Sequence, residues 1–174
     1  MAITTLLKQD SHVRKLRQML RNGSYNINTR EFIRELEHLH SIRLSRRLQV
    51  TDVINRFQGR YMRTVLQNQA TRSRSVTIKM RCFRTQAKLK RHLDDLVKYL
   101  MATYGEQLRR TAGTKSEREN VIRSVFGKAE NIQEELTTAM AIADMLIDDL
   151  DQNGWTNQRI IDMVKILQER GKQF

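Results

Sequence analysis

The side chains whose type and spacing point to chemistry in this sequence are cationic. Arg81, Arg84, Lys88, Arg91 and Lys98 step by 3, 4, 3 and 7, which keeps them on one face of a helix. Lys79 and Lys90 flank that face, and Arg72 and Arg74 precede it in the run Arg72-Ser73-Arg74-Ser75. Only Asp94 and Asp95 supply acid between Val76 and Tyr104, whereas an ordinary soluble surface intersperses both signs. Guanidinium forks bind phosphate bidentately and stack on bases. These nine residues are the expected contacts to a polyanion. Shorter rows, Arg14, Arg17 and Arg21, then Arg56, Arg60 and Arg63, repeat the pattern upstream.

Catalytic and metal chemistry find no such support. His38 and His40 are two apart on an expected helix, so they diverge rather than converge on a metal; His12 and His92 lie far from them in sequence. Cys82 has no cysteine partner and falls in an apolar helical row, as a packed thiol does. Asp148, Asp149 and Asp151 are dense but do not share a helix face. There is no P-loop, G-x-G-x-x-G or H-E-x-x-H. The expectation is a non-enzymatic chain without cofactor or metal.

Charge strengthens the polyanion reading. Thirty-two Lys and Arg against nineteen Asp and Glu give +13, with a pI near 10.5. Through Lys128 the chain holds 28 basic and 10 acidic side chains; from Ala129 onward it holds 4 and 9. Nucleic acid stands ahead of an anionic membrane surface as partner. No apolar run approaches the roughly 20 residues that span a bilayer, and residues 1–10 have too short an apolar core for a secretory signal. A single cysteine suits a reducing compartment, so a cytoplasmic location without membrane contact is expected.

The elements that must position these residues are helical. The chain has no proline and few glycines, and its periodic segments are rich in Leu, Arg, Gln, Glu and Met, which predicts an all-α fold. Helices are expected over Ile3 to Arg21, Thr29 to about Leu48, Thr51 to Thr71 and Val76 to Arg110, with a break at Arg72–Ser75 and another near Gly105. Thr114 and Glu117 form a capping-box pattern. Beyond it, Ile122, Val125, Ala129, Ile132, Leu136, Ala139, Ala143, Leu146 and Leu150 alternate steps of 3 and 4, a coiled-coil-like heptad seam. Asn153-Gly154 predicts a turn, and Trp155, Ile160, Ile161, Val164 and Leu167 a final amphipathic helix, so the C-terminal third reads as a helical hairpin. A seam fits an intramolecular bundle and self-association equally well. As a homo-oligomer, the chain would use Ile132, Leu136, Ala139, Ala143, Leu146, Leu150, Trp155, Ile160, Ile161 and Val164. The patterning suggests three regions: basic helices over 1–71, a nucleic-acid-binding helix over 72–113, and an oligomerisation hairpin over 114–174.

From about Val76 to Gly171 the order of parts resembles the phage recombination-mediator proteins of the UvsY type. The carrying residues are the basic run Lys88-Leu89-Lys90-Arg91-His92-Leu93-Asp94 with Tyr104-Gly105 after it, the seam helix, and Gly154, Trp155, Ile160, Ile161, Asp162 and Met163. The resemblance implies a non-catalytic accessory in the host-cell cytoplasm. It would bind single-stranded DNA, assemble through its C-terminal helices, and help a recombinase displace a single-strand-binding protein. Two other classes remain open: a helical virion component with a basic face toward packaged nucleic acid, and an RNA-binding or transcription-associated adaptor.

Overall fold

The structure is a computed structural model and describes residues 2–23, 25, 28–44 and 58–171; the side chains of 44, 58–62, 160, 164, 167, 168, 170 and 171 fall outside that description. It is all-α. Its described helices are Ile3–Gln9 (α1), Ser11–Arg21 (α2), Thr29–Leu44 (α3), Gln58–Thr103 (α4), Gly105–Thr111 (α5), Lys115–Arg123 (α6) and Gly127–Gly171 (α7), with a 3-10 turn at Ser124–Phe126. The expected helix start at Thr51, with Val53, Ile54, Arg56 and Phe57, lies outside the described residues. The chain forms two compact units: 1–29 with 81–137, and 30–80 with 138–174. Both are discontinuous in sequence, unlike the three consecutive regions the patterning suggests.

The first unit is built around α4. Its Leu89, Leu93, Leu96 and Leu100 bury against Leu7 of α1, Val13 and Leu16 of α2, Leu108 of α5, Ile122 of α6 and Ala129 of α7. Removing a leucine side chain from water contributes about 1.5–3 kcal/mol. The expected first helix is two helices, because Asp10 caps the second. Its carboxylate accepts from the His12 and Val13 backbone N–H groups at 2.8 and 3.4 Å and from the Tyr104 hydroxyl at 3.0 Å. An N-cap bond of this kind stabilises by about 1 kcal/mol, and here it also anchors the break between α4 and α5. That break falls at Tyr104-Gly105 as expected. The capping box at Thr114 and Glu117 is also formed, with bonds of 3.2 and 3.0 Å. The helix it opens stops at Arg123, since the 3-10 turn rotates both Val125 and Phe126 inward.

The second unit pairs the N-terminal part of α4 with α3 and the C-terminal part of α7. Along α4 the buried positions Thr71, Ser75 and Ile78 keep the seam spacing. The Ser75 hydroxyl donates to the Thr71 carbonyl at 2.9 Å, which satisfies it without breaking the helix. The break expected at Arg72–Ser75 is therefore absent. On α7, Ala139, Ala143, Leu146 and Leu150 are buried in the same unit.

The turn expected at Asn153-Gly154, and with it the C-terminal hairpin, is corrected by α7, which runs unbroken to Gly171. The Asn153 side chain donates to the Asp149 carbonyl at 2.6 Å, one helical turn back, and Gly154 does not have positive φ. A lone helical glycine disfavours the helix by only about 1 kcal/mol. Gly154→Ala should accordingly raise stability by about 0.5–1 kcal/mol in urea unfolding; a turn requiring positive φ at this position would lose stability instead.

Candidate nucleic-acid interface

The nine expected contact residues divide between the two units and meet different surroundings. In the second unit the cations are occupied. Arg72 donates to both carboxylate oxygens of Asp151 at 2.7 and 3.0 Å, and Arg74 to both of Glu35 at 2.5 and 2.9 Å. Lys79 pairs with Asp144, and the buried Arg43 with Asp149. Each guanidinium of the two bidentate pairs is held more firmly protonated by its carboxylate, and the Asp151 carboxyl is pushed below its ordinary value by the bond from Arg72. Exposed pairs of this sort add little to stability because water and salt screen them, so their main effect is to fix register. Arg72–Asp151 and Lys79–Asp144 are seven residues apart on both antiparallel helices. These three residues, placed among the contacts by sequence, are engaged within their own chain.

In the first unit the cations face outward. Arg81, Arg84, Lys90 and Arg91 are exposed and make no ion pair among the described residues. Lys88 stands 5.6 Å from the centre of the Tyr25 ring, a cation–π contact that leaves its charge uncancelled. Tyr25 is itself fixed by a 2.7 Å hydrogen bond between its hydroxyl and His92 Nδ1, and burial raises its pKa. Sequence patterning missed this support, because it joins a linker residue to a helix 67 positions away. Lys98 is also exposed and lies 3.9 Å from Asp95, while Asp94 is 3.5 Å from Arg123. The five cations from Arg81 to Arg91 cover about 15 Å of helix at 1.5 Å per residue.

An aromatic side chain stands among these charges. Phe83 is 57% exposed and lines an open depression of ≈ 670 Å³ with Arg84, Ala87, Lys88, Arg91, His92 and Asp95. A large apolar ring left in water on a cationic face offers a stacking platform for a base. No family model, curated protein or solved structure matches this chain.

The residues assigned to oligomerisation are placed differently from expectation. Leu136, Ala139, Ala143, Leu146 and Leu150 are buried against their own chain, and Ile132 is half-buried. These five positions are core within the protomer. Ile161 is half-buried and Trp155 exposed; the side chains of Ile160 and Val164 lie outside the described residues. Cys82 is buried, and burial raises its thiol pKa, as expected of a packed rather than reactive cysteine. Among the described residues no group of His, Cys, Asp and Glu could hold a metal ion, and no helix is long and apolar enough to cross a membrane.

The division between free and paired cations is testable on heparin or single-stranded DNA. Replacing Arg81, Arg84 and Arg91 together by Gln should weaken binding and flatten the salt dependence by about 2 in the logarithmic slope. Replacing Arg72, Arg74 and Lys79 by Gln should leave that slope unchanged.

Proposed function

We propose that this chain is a non-enzymatic single-stranded DNA-binding protein that grips the strand on the outward face of α4 in the first unit. The observation that carries the reading is the exposed group Arg81, Arg84, Lys88, Lys90 and Arg91, none of them in an ion pair among the described residues, with Phe83 bare in its midst. Cations alone would serve any polyanion. The ring adds a reason to prefer bases that are free to unstack, because base–aromatic stacking contributes about 1–3 kcal/mol per base and a closed duplex withholds it.

The resemblance to recombination mediators of the UvsY type supports a place beside a recombinase, as the accessory that presents the strand while a single-strand-binding protein leaves. The cationic helix ending at Tyr104-Gly105 agrees with that resemblance; the continuous α7 through Gly154-Trp155 departs from it. Copies that assemble on one strand would multiply modest individual grips, and they would do so through surfaces outside the buried seam.

Anisotropy titrations against labelled single-stranded DNA, duplex DNA and single-stranded RNA across a salt series test this function. Single-stranded DNA should bind more tightly than duplex, with a logarithmic salt slope near −3.5 if five phosphates are neutralised. Phe83→Ala should weaken the single-strand complex by about 5- to 150-fold without changing that slope. Equal affinity for duplex would remove the single-strand assignment, and a marked preference for RNA would move the protein to the adaptor class.

A further inference from the structure

The second unit carries an open groove of ≈ 630 Å³ where α4 and α7 continue past the apolar seam, within the roughly 300–1,000 Å³ typical of ligand clefts. Among the described residues, buried positions on α7 end at Leu150. The register that joins Lys79 to Asp144 and Arg72 to Asp151 reaches Val65 and Gln158 at the next step of seven, where no bridge closes among the described residues. Gln158 instead donates to Asp162 on its own helix at 3.1 Å. Both helices thus present their walls to an unfilled space.

Three features mark this space as more than a loose helix end. Trp155 lines it with 73% of its surface exposed, although a tryptophan gains more than any other side chain from being covered. Asn68 lines it too, and its Oδ1 is buried without a hydrogen-bond partner, an arrangement that is disfavoured. Gly154 sits on the lining inside a helix, yet a Cβ there would meet nothing within 4 Å. Neither a turn nor close packing explains that glycine.

The lining also restricts the ligand. The charges at the rim, Arg72 and Asp151, are bound to one another, so the described residues that line the groove offer no free charge to a phosphate. Asn68, Gln69 and Asn157 bring amide donors and acceptors, which an apolar peptide would leave unpartnered. What fits an indole face, amide edges and no net charge is a planar, neutral ring with hydrogen-bonding edges.

We propose that this groove takes one unstacked nucleobase of the bound strand, stacked on Trp155 with its hydrogen-bonding edge toward the amides of Asn68, Gln69 and Asn157. This inference rests on the single-strand reading above and adds a base-binding slot to it, separate from the cationic face of the first unit.

Trp155 is the chain's one tryptophan, so its fluorescence reports on the groove directly. The full chain is titrated with an oligothymidylate of about 15 nucleotides and, separately, with an abasic deoxyribose-phosphate oligomer of the same length and charge. Oligothymidylate should quench Trp155 and the abasic oligomer should not. Trp155→Ala should lose about 5- to 150-fold in oligothymidylate affinity with an unchanged salt slope, because the indole neutralises no phosphate. Gly154→Leu fills the groove without opposing the helix, and should bind with the same slope but without quenching. If both oligomers bind while Trp155 is silent, or if both quench it equally, the slot is refuted and the cationic face stands. If neither binds, the single-strand reading falls and takes the slot with it.

Discussion

The structure depends on the burial of one heptad seam inside its own chain. Ala129, Leu136, Ala139, Ala143, Leu146 and Leu150 on α7 are covered by antiparallel neighbours within the protomer. Once that face is committed, the rotation of α4 about its axis is fixed as well. Ser75, Ile78, Cys82, Leu89, Leu93, Leu96 and Leu100 must turn inward, and the residues between them must turn out. The basic stripe is exposed as a consequence of where the seam lies, without any device of its own. In each unit the polar pairs along the helix edges keep the same register: Lys79 with Asp144 and Arg72 with Asp151 in one, Gln86 donating to Thr137 at 2.7 Å in the other.

The acids of the chain decide which cations remain available. Glu35, Asp144, Asp149 and Asp151 sit in the second unit and take up Arg74, Lys79, Arg43 and Arg72. In the first unit Asp10 is buried as a helix cap, Asp94 faces Arg123 and Glu117 closes a capping box with Thr114, which holds its carboxyl below the usual range. Asp95 shares a depression with Arg84 and Arg91 but lies beside Lys98, and among the described residues no carboxylate pairs with Arg81, Arg84 or Arg91. A group with no internal partner keeps its full attraction for an external polyanion, whereas a paired one must first give up its carboxylate. The same contrast explains why a neutral base, rather than a phosphate, suits the groove beside the Arg72–Asp151 pair.

Much of this was legible before any coordinates. The helical composition, the seam on α7, the cap at Thr114, the stop at Tyr104-Gly105 and the single-faced cations between Arg81 and Arg91 all follow from spacing. Apolar periodicity failed where the seam is polar. Thr71 and Ser75 are small enough to pack and satisfy themselves on their own helix, as the Ser75 hydroxyl does, so a continuous helix looked like a break. At Asn153-Gly154 residue types that favour turns were outweighed by the helix on both sides. The pairing of Arg72 and Arg74 was invisible for a different reason, since their partners lie 79 and 39 residues away. Spacing also could not tell an intramolecular seam from an intermolecular one, and that distinction turned residues assigned to assembly into core.

The dependence of unfolding on protein concentration tests the central claim most directly. A seam buried within one chain requires a urea midpoint that stays constant over about a hundredfold range of concentration, because folding and association are then separate events. A midpoint that climbs steadily with concentration would show that copies complete each other's core, and would contradict the account.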